Sequence, residues 1–465
     1  MNLPEPEAKR NTTTRRIVFV CRHPIGESLR SAQALKKLEG VVLLGICEDS
    51  PYAEGVDIFA DLLRIADIHD AGEVIKAART LSEKHGPLSR IVTAQETLLD
   101  AAAQAGEVLG LQGMAVAAVR RALDKSLLRS ALAQAGTMTA RGQVIVEKDD
   151  ARRLVEEIGF PVVLKPLTGS GGLTTWRIRS ADQLEVALNL MQPSRENAVL
   201  AEEYLRGEEL CIDTITIANE PRLHSICCYR PSILEALENP AVQWSCIMPR
   251  DISGEITGGR YREFIEQGLA SVRALSVGNA FTHMEGFLLE GGGVRFTDAT
   301  LRPAGARIGP MLGFAYDIDP YFAWARVAVD DCFDGPWERK YAVGTIFLRG
   351  LGAGLVDHVE GVESVRQRLG DLLVEFRWPK VGASKSATYT GDGYVTLRHA
   401  ETSVVEDALR LIEQTIRITY TQPAMTVPDN DTIDQQWSQR LLSFDQQLNR
   451  PAWDTNDSTP GLRDA

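Results

Sequence analysis

Two carboxylates on either side of a glycine turn have the spacing of a divalent-metal site. Glu285 and Asp298 flank Gly291–Gly293, so a hairpin could bring their side chains together. Two carboxylates held close repel unless a cation lies between them, and Mg²⁺ prefers a few carboxylate oxygens together with phosphate oxygens. Arg302 follows Asp298 closely and could neutralise charge on a transferring phosphoryl group. A solvated hairpin with charged outer faces is the alternative for this element alone.

A lysine and a glycine-rich loop precede this hairpin. Lys165 ends the apolar run FPVVLKP, where a lysine must find an anion or reach water. A plain salt bridge and a phosphate contact are about equally favoured for it. The loop TGSGG follows at residues 168–172, and its glycines would let backbone N–H groups approach phosphate oxygens. Such a loop alone is more often an ordinary turn.

Three further segments complete an ordered set. Asp124 and Lys125 open a helix ahead of a strand-rich segment, and the run AEEYLRGEELCID carries Glu209. The segment RPAGARIG supplies Arg302 and Arg307. Each piece is weak alone, and the argument depends on their order along the chain.

The elements around these residues predict an α/β protein. A chain of 465 residues is long enough for two to four units with cores of their own. Strands alternate with helices at first, which predicts a small parallel sheet over residues 15–110. We expect a second domain at 111–335, with a smaller lobe at about 125–205, then an α+β subdomain at 336–448 and a disordered tail at 449–465.

The composition argues against some classes of binding partner. The formal net charge of -13 gives no electrostatic footprint for nucleic acid, and the longest apolar runs are too short to cross a bilayer. The seven cysteines form no CxxC pair, which argues against a disulfide framework or a zinc site, and adjacent Cys227 and Cys228 are expected to be buried free thiols. We therefore expect a reduced, cytoplasmic enzyme.

The ordered set resembles the ATP-grasp superfamily over roughly Gly110 to Val329. His283-Met284-Glu285 and RPAGARI are most similar to its carboxylate–amine ligase branch, which contains the L-amino acid (dipeptide) ligases. The segment GYVTLRHAETSVVEDAL resembles the C-terminal part of that branch and of biotin carboxylases. The resemblance implies an N-terminal Rossmann-like (pre-ATP-grasp) domain, an ATP-grasp body whose small lobe clamps ATP, and a C-terminal α+β subdomain.

The resemblance also implies roles for individual residues. The cofactors would be ATP and Mg²⁺, with Mn²⁺ as a substitute, and the metal ligands would be Glu285 and Asp298. Lys165 and Arg302 would act on the phosphoryl group during catalysis. The ATP-binding residues would be Lys125, Lys165, Thr168, Gly169, Ser170, Gly171, Gly172, Glu202, Glu203, Tyr204, Leu205 and Glu209. Among these, the backbone of Glu203–Leu205 would pair with adenine and Glu209 with the ribose hydroxyls.

Other residues have weaker claims. His283, Arg302 and Arg307 are candidates for substrate binding, although a core histidine and a structural salt bridge are about as probable for His283 and Arg307. Tyr229, Trp244 and Arg250 lie where such ligases build an acceptor pocket, with packing or surface placement favoured for each.

Two positions depart from the family pattern. Asp298 stands where Glu is usual, and Thr300 stands where Asn is frequent. The shorter Asp298 side chain could weaken one metal site.

The resulting hypothesis is an ATP-dependent ligase that forms an amide or peptide bond between a small carboxylate and an amine through an acyl phosphate, with an amino acid as one substrate. We expect no membrane or nucleic-acid partner, and a homodimer by family analogy. A biotin-carboxylase-like or purine-pathway enzyme activating bicarbonate or formate is one alternative. A nucleotide-binding protein without turnover is the other.

Overall fold

The computed structural model describes residues 14–48, 56–169, 175–252 and 259–422. These residues divide into two compact units, which we describe separately. The first comprises the described part of Met1–Val119 together with Tyr321–Asp334, and the second comprises Arg120–Pro320 and Gly335–Ala465 as far as they are described. The predicted domain bounds at 110 and 335 stay predictions, and the predicted tail at 449–465 lies outside the described residues.

The helices and strands are numbered in chain order. The helices are α1 (Gly26–Lys36), α2 (Ala71–His85), α3 (Leu99–Val108), α4 (Val116–Leu123), α5 (Lys125–Gln134), α6 (Lys148–Ile158), α7 (Ala181–Met191), α8 (Ile233–Glu238), α9 (Arg262–Leu275), α10 (Ile308–Tyr316), α11 (Pro320–Asp330), α12 (Val362–Leu369) and α13 (Thr402–Thr415). The strands are β1 (Arg15–Cys21), β2 (Val41–Glu48), β3 (Asp61–Ile65), β4 (Arg90–Val92), β5 (Gly142–Ile145), β6 (Val162–Pro166), β7 (Trp176–Ile178), β8 (Val199–Glu203), β9 (Gly207–Ile217), β10 (Glu220–Arg230), β11 (Trp244–Met248), β12 (Ala280–Leu289), β13 (Val294–Thr300), β14 (Ala342–Leu348), β15 (Ala353–Glu360), β16 (Leu373–Arg377), β17 (Gly393–His399) and β18 (Arg417–Gln422).

The first unit is built on a parallel sheet in the order β3-β2-β1-β4. The inner strand β1 is apolar from Ile17 to Cys21, and the side chains of these residues are fully buried. Such a strand is typical of a parallel sheet covered on both faces. Helices α2 and α3 contribute Val74, Leu81 and Ala105 to the same core. The α/β class predicted from the sequence is confirmed.

The second unit contains a small antiparallel sheet in the order β5-β8-β6-β7. Helices α6 and α7 pack on it through Leu154, Leu184 and Leu188, all buried. A capping box formed by Glu147 and Asp150 begins α6. This small sheet positions Lys165 on β6 and Glu202 on β8.

The second unit also contains an eight-stranded sheet in the order β13-β12-β9-β10-β11-β14-β17-β16, with a separate pair β15-β18. One face of the large sheet is covered by α9 and α13, where Gly268 of α9 allows close packing on Ile212 and Phe296. Successive side chains alternate between faces. The opposite face, which we call the polar face, carries Glu209, Cys211, Asp213, Ser225, Cys227, Tyr229, His283, Glu285, Asp298 and Thr300.

Candidate active site

Glu285 and Asp298 lie directly opposite each other on β12 and β13. The register shifts by one residue next to this pair, so Thr297 forms a bulge and its hydroxyl donates to the carbonyl of Glu285 at 3.2 Å. In a regular strand Phe296 and Asp298 would share a face. The bulge instead turns Phe296 toward α9 and Asp298 onto the polar face. The two predicted metal ligands therefore lie side by side.

Both predicted phosphate-binding lysines contact Asp298. Lys125 begins α5 behind its N-cap Asp124, and its Nζ lies 2.8 Å from Oδ1 of Asp298. Lys165 lies in the apolar strand β6, with its Nζ 3.2 Å from Oδ2 of Asp298 and 2.7 Å from Oε1 of Glu202. The structure thus joins the small sheet to the carboxylate hairpin through Lys165, which contacts both Glu202 and Asp298.

Electrostatic interactions favour the charged forms of Lys165 and Asp298. Burial alone would lower the pKa of Lys165, but the charges of Asp298 and Glu202 raise it above its ordinary value. Burial likewise disfavours the charged form of Asp298, but Lys165 and Lys125 hold its pKa below the ordinary value. Both shifts favour the charged forms, so Lys165 and Asp298 form an ion pair that a ligand would meet.

The start of the glycine-rich loop lies against Lys125. The backbone N–H of Lys125 donates to the carbonyl of Leu167 at 3.0 Å, and the Nζ of Lys125 donates to the carbonyl of Gly169 at 3.3 Å. Thr168 lies between these two residues. Ser170, Gly171 and Gly172, which complete the predicted phosphate loop, lie outside the described residues.

The predicted adenine hinge follows β8. The N–H groups of Glu203 and Tyr204 donate to the carbonyls of Arg141 and Pro161, at 2.8 and 3.2 Å. The N–H of Leu205 and the hinge carbonyls are thus the candidates for contact with a base. A cavity of ≈450 Å³ borders Tyr204 and Leu205, and its wall includes Arg177, Ser232 and Phe287.

Glu209 lies on β9 beside the carboxylate pair. It is buried, and its Oε2 accepts from the N–H of Ile233, the first residue of α8, at 2.7 Å. Burial and the nearby charge of Glu285 raise the pKa of Glu209 well above the ordinary value. The backbone bond to Ile233 opposes that shift.

His283 connects two carboxylates on the polar face. Its Nδ1 lies 2.9 Å from Oδ1 of Asp213, and its Nε2 lies 3.4 Å from Oε1 of Glu285. The Tyr229 hydroxyl donates to the same Glu285 oxygen at 3.2 Å. His283 and Tyr229 are therefore positioned to orient Glu285.

Arg302 and Arg307 lie in different surroundings. Arg302 follows β13, and its Nη1 donates to the carbonyl of Pro303 at 2.8 Å. Arg307 forms an ion pair with Glu375 and stacks on the ring of Tyr394, with its guanidinium 4.7 Å from the ring centre. Those partners belong to β16 and β17, at the far end of the large sheet from the carboxylate hairpin.

Sequence reasoning missed or undervalued several residues of this site. Tyr389 precedes β17, and its ring lies 4.8 Å from that of Trp244, which also contacts Tyr229 at 5.4 Å. Burial and the charge of Glu285 raise the pKa of Tyr389, while Arg302 lowers it, so its phenol lies within electrostatic reach of both. Asp213 could have been found, because it alternates with Glu209 along one strand. Nothing in the local sequence marks Tyr389. Arg250, in contrast, is exposed and donates to the Ala400 carbonyl and the Thr402 hydroxyl.

Comparison with known families agrees with this geometry. The sequence model of the family described as "Carbamoyl-phosphate synthase L chain, ATP binding domain" matches residues 124–210. That range begins at the N-cap of α5 and ends beside Glu209, so it contains both lysines and the hinge.

The curated relatives include amino acid ligases. An L-arginine-specific L-amino acid ligase from Bacillus subtilis is 22% identical over 308 residues, which is 65% of this chain and 73% of that protein. An alanine–anticapsin ligase from Bacillus subtilis (strain 168) is 29% identical over 147 residues, 29% of this chain and 31% of that protein. The second match thus spans about a third of its relative.

Solved structures share the fold over most of the chain. A crystal structure of an L-amino acid ligase from Bacillus licheniformis has a TM-score of 0.71 at 17% identity and covers 88% of this chain and 100% of its own. The biotin carboxylase domain of a 2-oxoglutarate carboxylase from Hydrogenobacter thermophilus has a TM-score of 0.64 at 16% identity, covering 94% and 99%.

The chain shares the ATP-grasp fold with these structures, and its residues 124–210 match a family model of an ATP-binding domain. Its relatives by sequence are amino acid ligases, and together with the fold they indicate an ATP-dependent ligase that forms C–N bonds. ATP-grasp enzymes in general use ATP with Mg²⁺. Among the residues the structure describes, no helix combines the length and apolarity that a membrane span requires.

Proposed function

We propose that this protein activates the carboxylate of one amino acid as an acyl phosphate and joins it to the amino group of another. The observation that carries the proposal is the meeting of Lys125, Lys165, Glu285 and Asp298 at one end of the polar face. Such a site supplies cations for phosphates and paired carboxylates for a metal, which is most of what phosphoryl transfer needs.

The nucleotide would lie between the small sheet and the polar face. The cavity at Tyr204 and Leu205 supports an adenine position there, with the Leu205 N–H as donor. Glu209 would accept from the ribose hydroxyls, since it lies next to Ser232 and Ile233 at the edge of that cavity. The phosphates would then extend toward Lys165 and Lys125, near Gly169 in the described start of the glycine-rich loop.

The residues present fit a magnesium ion. Glu285 and Asp298 offer adjacent carboxylates and would hold the ion, since Mg²⁺ prefers carboxylate oxygens together with phosphate oxygens. When bound, the ion would neutralise charge on the phosphate oxygens. Mn²⁺ has the same preference for oxygen ligands and would substitute for it.

The reaction would proceed in two steps. A carboxylate oxygen of the first substrate attacks the γ-phosphorus, the bond to the β-γ bridging oxygen breaks, and ADP leaves. The amine of the second substrate attacks the acyl carbon, loses a proton and expels phosphate. Lys125, Lys165 and Arg302 would stabilise negative charge during phosphoryl transfer, and Arg302 would also orient the substrate carboxylate.

An aromatic wall borders the carboxylates. It consists of Tyr229, Trp244 and Tyr389, whose rings contact one another at 5.4 and 4.8 Å. We assign the substrate side chain to this wall. Arg307 is better placed to hold α10 against β16 and β17 than to bind a substrate. The expected homodimer stays a prediction.

Release of ADP and phosphate from Mg-ATP tests the proposal directly. The protein is screened against pooled amino acids and small carboxylic acids, and products are identified by mass spectrometry. Stimulation by a pair of amino acids, with a product lighter than their sum by one water, is the expected result. Stimulation by bicarbonate alone would support the carboxylase alternative, and tight ATP binding without turnover would support the non-catalytic one.

A further inference from the structure

A second group of potential metal ligands lies next to the proposed magnesium site. Cys211 and Asp213 alternate along β9, and His283 lies opposite Asp213 on β12. The thiol sulfur, a carboxylate oxygen and a ring nitrogen all lie within 4.8 Å of one another. The Cys211 sulfur is 3.5 Å from Oδ2 of Asp213, and Nδ1 of His283 is 2.9 Å from Oδ1.

These separations are near those of a tetrahedral site, with the His283–Asp213 distance shorter than such a site requires. Bonds of about 2.0–2.3 Å to sulfur, nitrogen and oxygen place tetrahedral ligands roughly 3.3–3.8 Å apart. The observed distances therefore need only small side-chain movements to surround one ion. Cys211 is fully buried, whereas the side chains of Asp213 and His283 are each 11% exposed, so an ion would enter past the last two.

The donor types favour a different ion from the neighbouring site. Thiolate and imidazole are poor ligands for Mg²⁺ but good ligands for Zn²⁺ and Co²⁺. Three protein ligands also leave a fourth position for water, as in many zinc sites.

The surroundings of His283 agree with a ligand role. Zinc-bound histidines usually donate their second ring N–H to a carboxylate, which fixes the tautomer. Here Nε2 of His283 faces Oε1 of Glu285 at 3.4 Å while Nδ1 faces the cluster. An ion on Nδ1 would hold the proton on Nε2 and so orient Glu285.

We propose that Cys211, Asp213 and His283 bind one thiophilic divalent cation of the zinc class, separate from the magnesium carried by Glu285 and Asp298. Binding releases the proton of the Cys211 thiol and replaces the His283–Asp213 hydrogen bond by two metal bonds. The ion orients Glu285 through the second nitrogen of His283. The site does not depend on the proposed ligase reaction.

Spectroscopy with Co²⁺ tests the site without turnover. The 465-residue chain is stripped of metal with a chelator, kept under reducing conditions and titrated with Co²⁺ in excess Mg²⁺ without nucleotide. We expect one equivalent to bind, with a thiolate-to-cobalt absorption band and the intense visible bands of tetrahedral Co²⁺. A folded protein that gives no thiolate band would overturn the proposal.

Variants assign the ligands. Cys211→Ser should remove the thiolate band, and Asp213→Asn should weaken Co²⁺ binding by at least about tenfold. Cys227→Ser is the matched control, since Cys227 is equally buried and lies opposite Cys211 on β10. The band should persist in Cys227→Ser and in Glu285→Gln. Loss of the band in Cys227→Ser but not in Cys211→Ser would contradict the ligand set.

Glu285→Gln also separates the zinc-class site from the proposed ligase function, because it should abolish ATP turnover while leaving the cobalt spectrum unchanged.

Discussion

The Nζ of Lys165 lies 3.2 Å from Oδ2 of Asp298, which pairs a predicted phosphate ligand with a predicted metal ligand. Lys125 contacts the other oxygen of the same carboxylate at 2.8 Å. Phosphate would replace Asp298 as the partner of the two lysines. Mg²⁺ would replace the lysines as the partner of Asp298. Nucleotide and metal should therefore bind with positive coupling, because each releases the groups that the other needs.

Asp298→Asn should separate nucleotide affinity from metal dependence. Removing the carboxylate frees Lys125 and partly frees Lys165, so binding of ADP without metal should tighten by about tenfold, or ~1.4 kcal/mol. Turnover with Mg-ATP should fall by at least about 100-fold. Calorimetry of ADP binding with chelator present measures the first effect. Glu220→Gln makes the same change in net charge at an exposed ion pair with Arg273 and should leave ADP affinity unchanged. Weaker metal-free binding in Asp298→Asn would argue against the exchange of partners.

Arg302 and Arg307 should respond differently to truncation. Arg302→Ala should lower kcat by roughly 100-fold or more, with little change in melting temperature, if it stabilises the phosphoryl group. Arg307→Ala should chiefly lower the melting temperature, because it leaves Glu375 partly buried without its ion pair. Steady-state kinetics and thermal unfolding of the two variants distinguish the catalytic role of Arg302 from the structural role of Arg307. The reverse pattern would assign the substrate contact to Arg307.

Tyr389 should act on the amino acid and not on ATP. Tyr389→Ala removes a ring from the aromatic wall and should raise the KM of the amino acid about tenfold, roughly 1.4 kcal/mol, with the KM of ATP nearly unchanged. Tyr389→Phe keeps the ring contact with Trp244 and should recover most of the affinity. Equal effects on both KM values would instead indicate a general loss of structure.

Glu209 should destabilise the protein as pH rises. Its folded-state pKa is raised, so its contribution to stability is fully present below the unfolded value and is lost as pH rises through the folded value. Glu209→Gln keeps an acceptor for the N–H of Ile233 and removes this loss. Without ligands, its melting temperature should therefore exceed that of the parent protein, by a margin that grows from about pH 4.5 upward. Thermal unfolding over a pH series measures this margin, and a constant or negative margin would contradict the assignment. Nucleotide affinity should decrease in the same variant.

Much of the fold could be predicted because its signals are local. Alternating strands and helices indicated the α/β class, and the glycine turn indicated the pairing of Glu285 with Asp298. The bulge at Thr297 could not be predicted from the glycine turn. Its only trace is that Phe296 and Asp298, two residues apart, need opposite environments.

Long-range partners were beyond sequence reasoning for the same physical reason. Tyr389 reaches the site from a loop more than 100 residues after Glu209, and the position of a loop depends on the packing beneath it. Arg307 had the right type and spacing for a substrate ligand. Its ion pair with Glu375 depends on β16, which only the folded sheet brings near.

Transfer of a heavy oxygen isotope tests the acyl phosphate most directly. An amino acid labelled in its carboxylate with heavy oxygen is turned over with unlabelled Mg-ATP and a second amino acid, and the released phosphate is examined by mass spectrometry. The proposed reaction predicts one heavy oxygen in each phosphate, because the carboxylate oxygen stays on phosphorus when the amine attacks. Phosphate without the label, formed alongside a C–N bonded product, would contradict activation of the carboxylate by phosphoryl transfer.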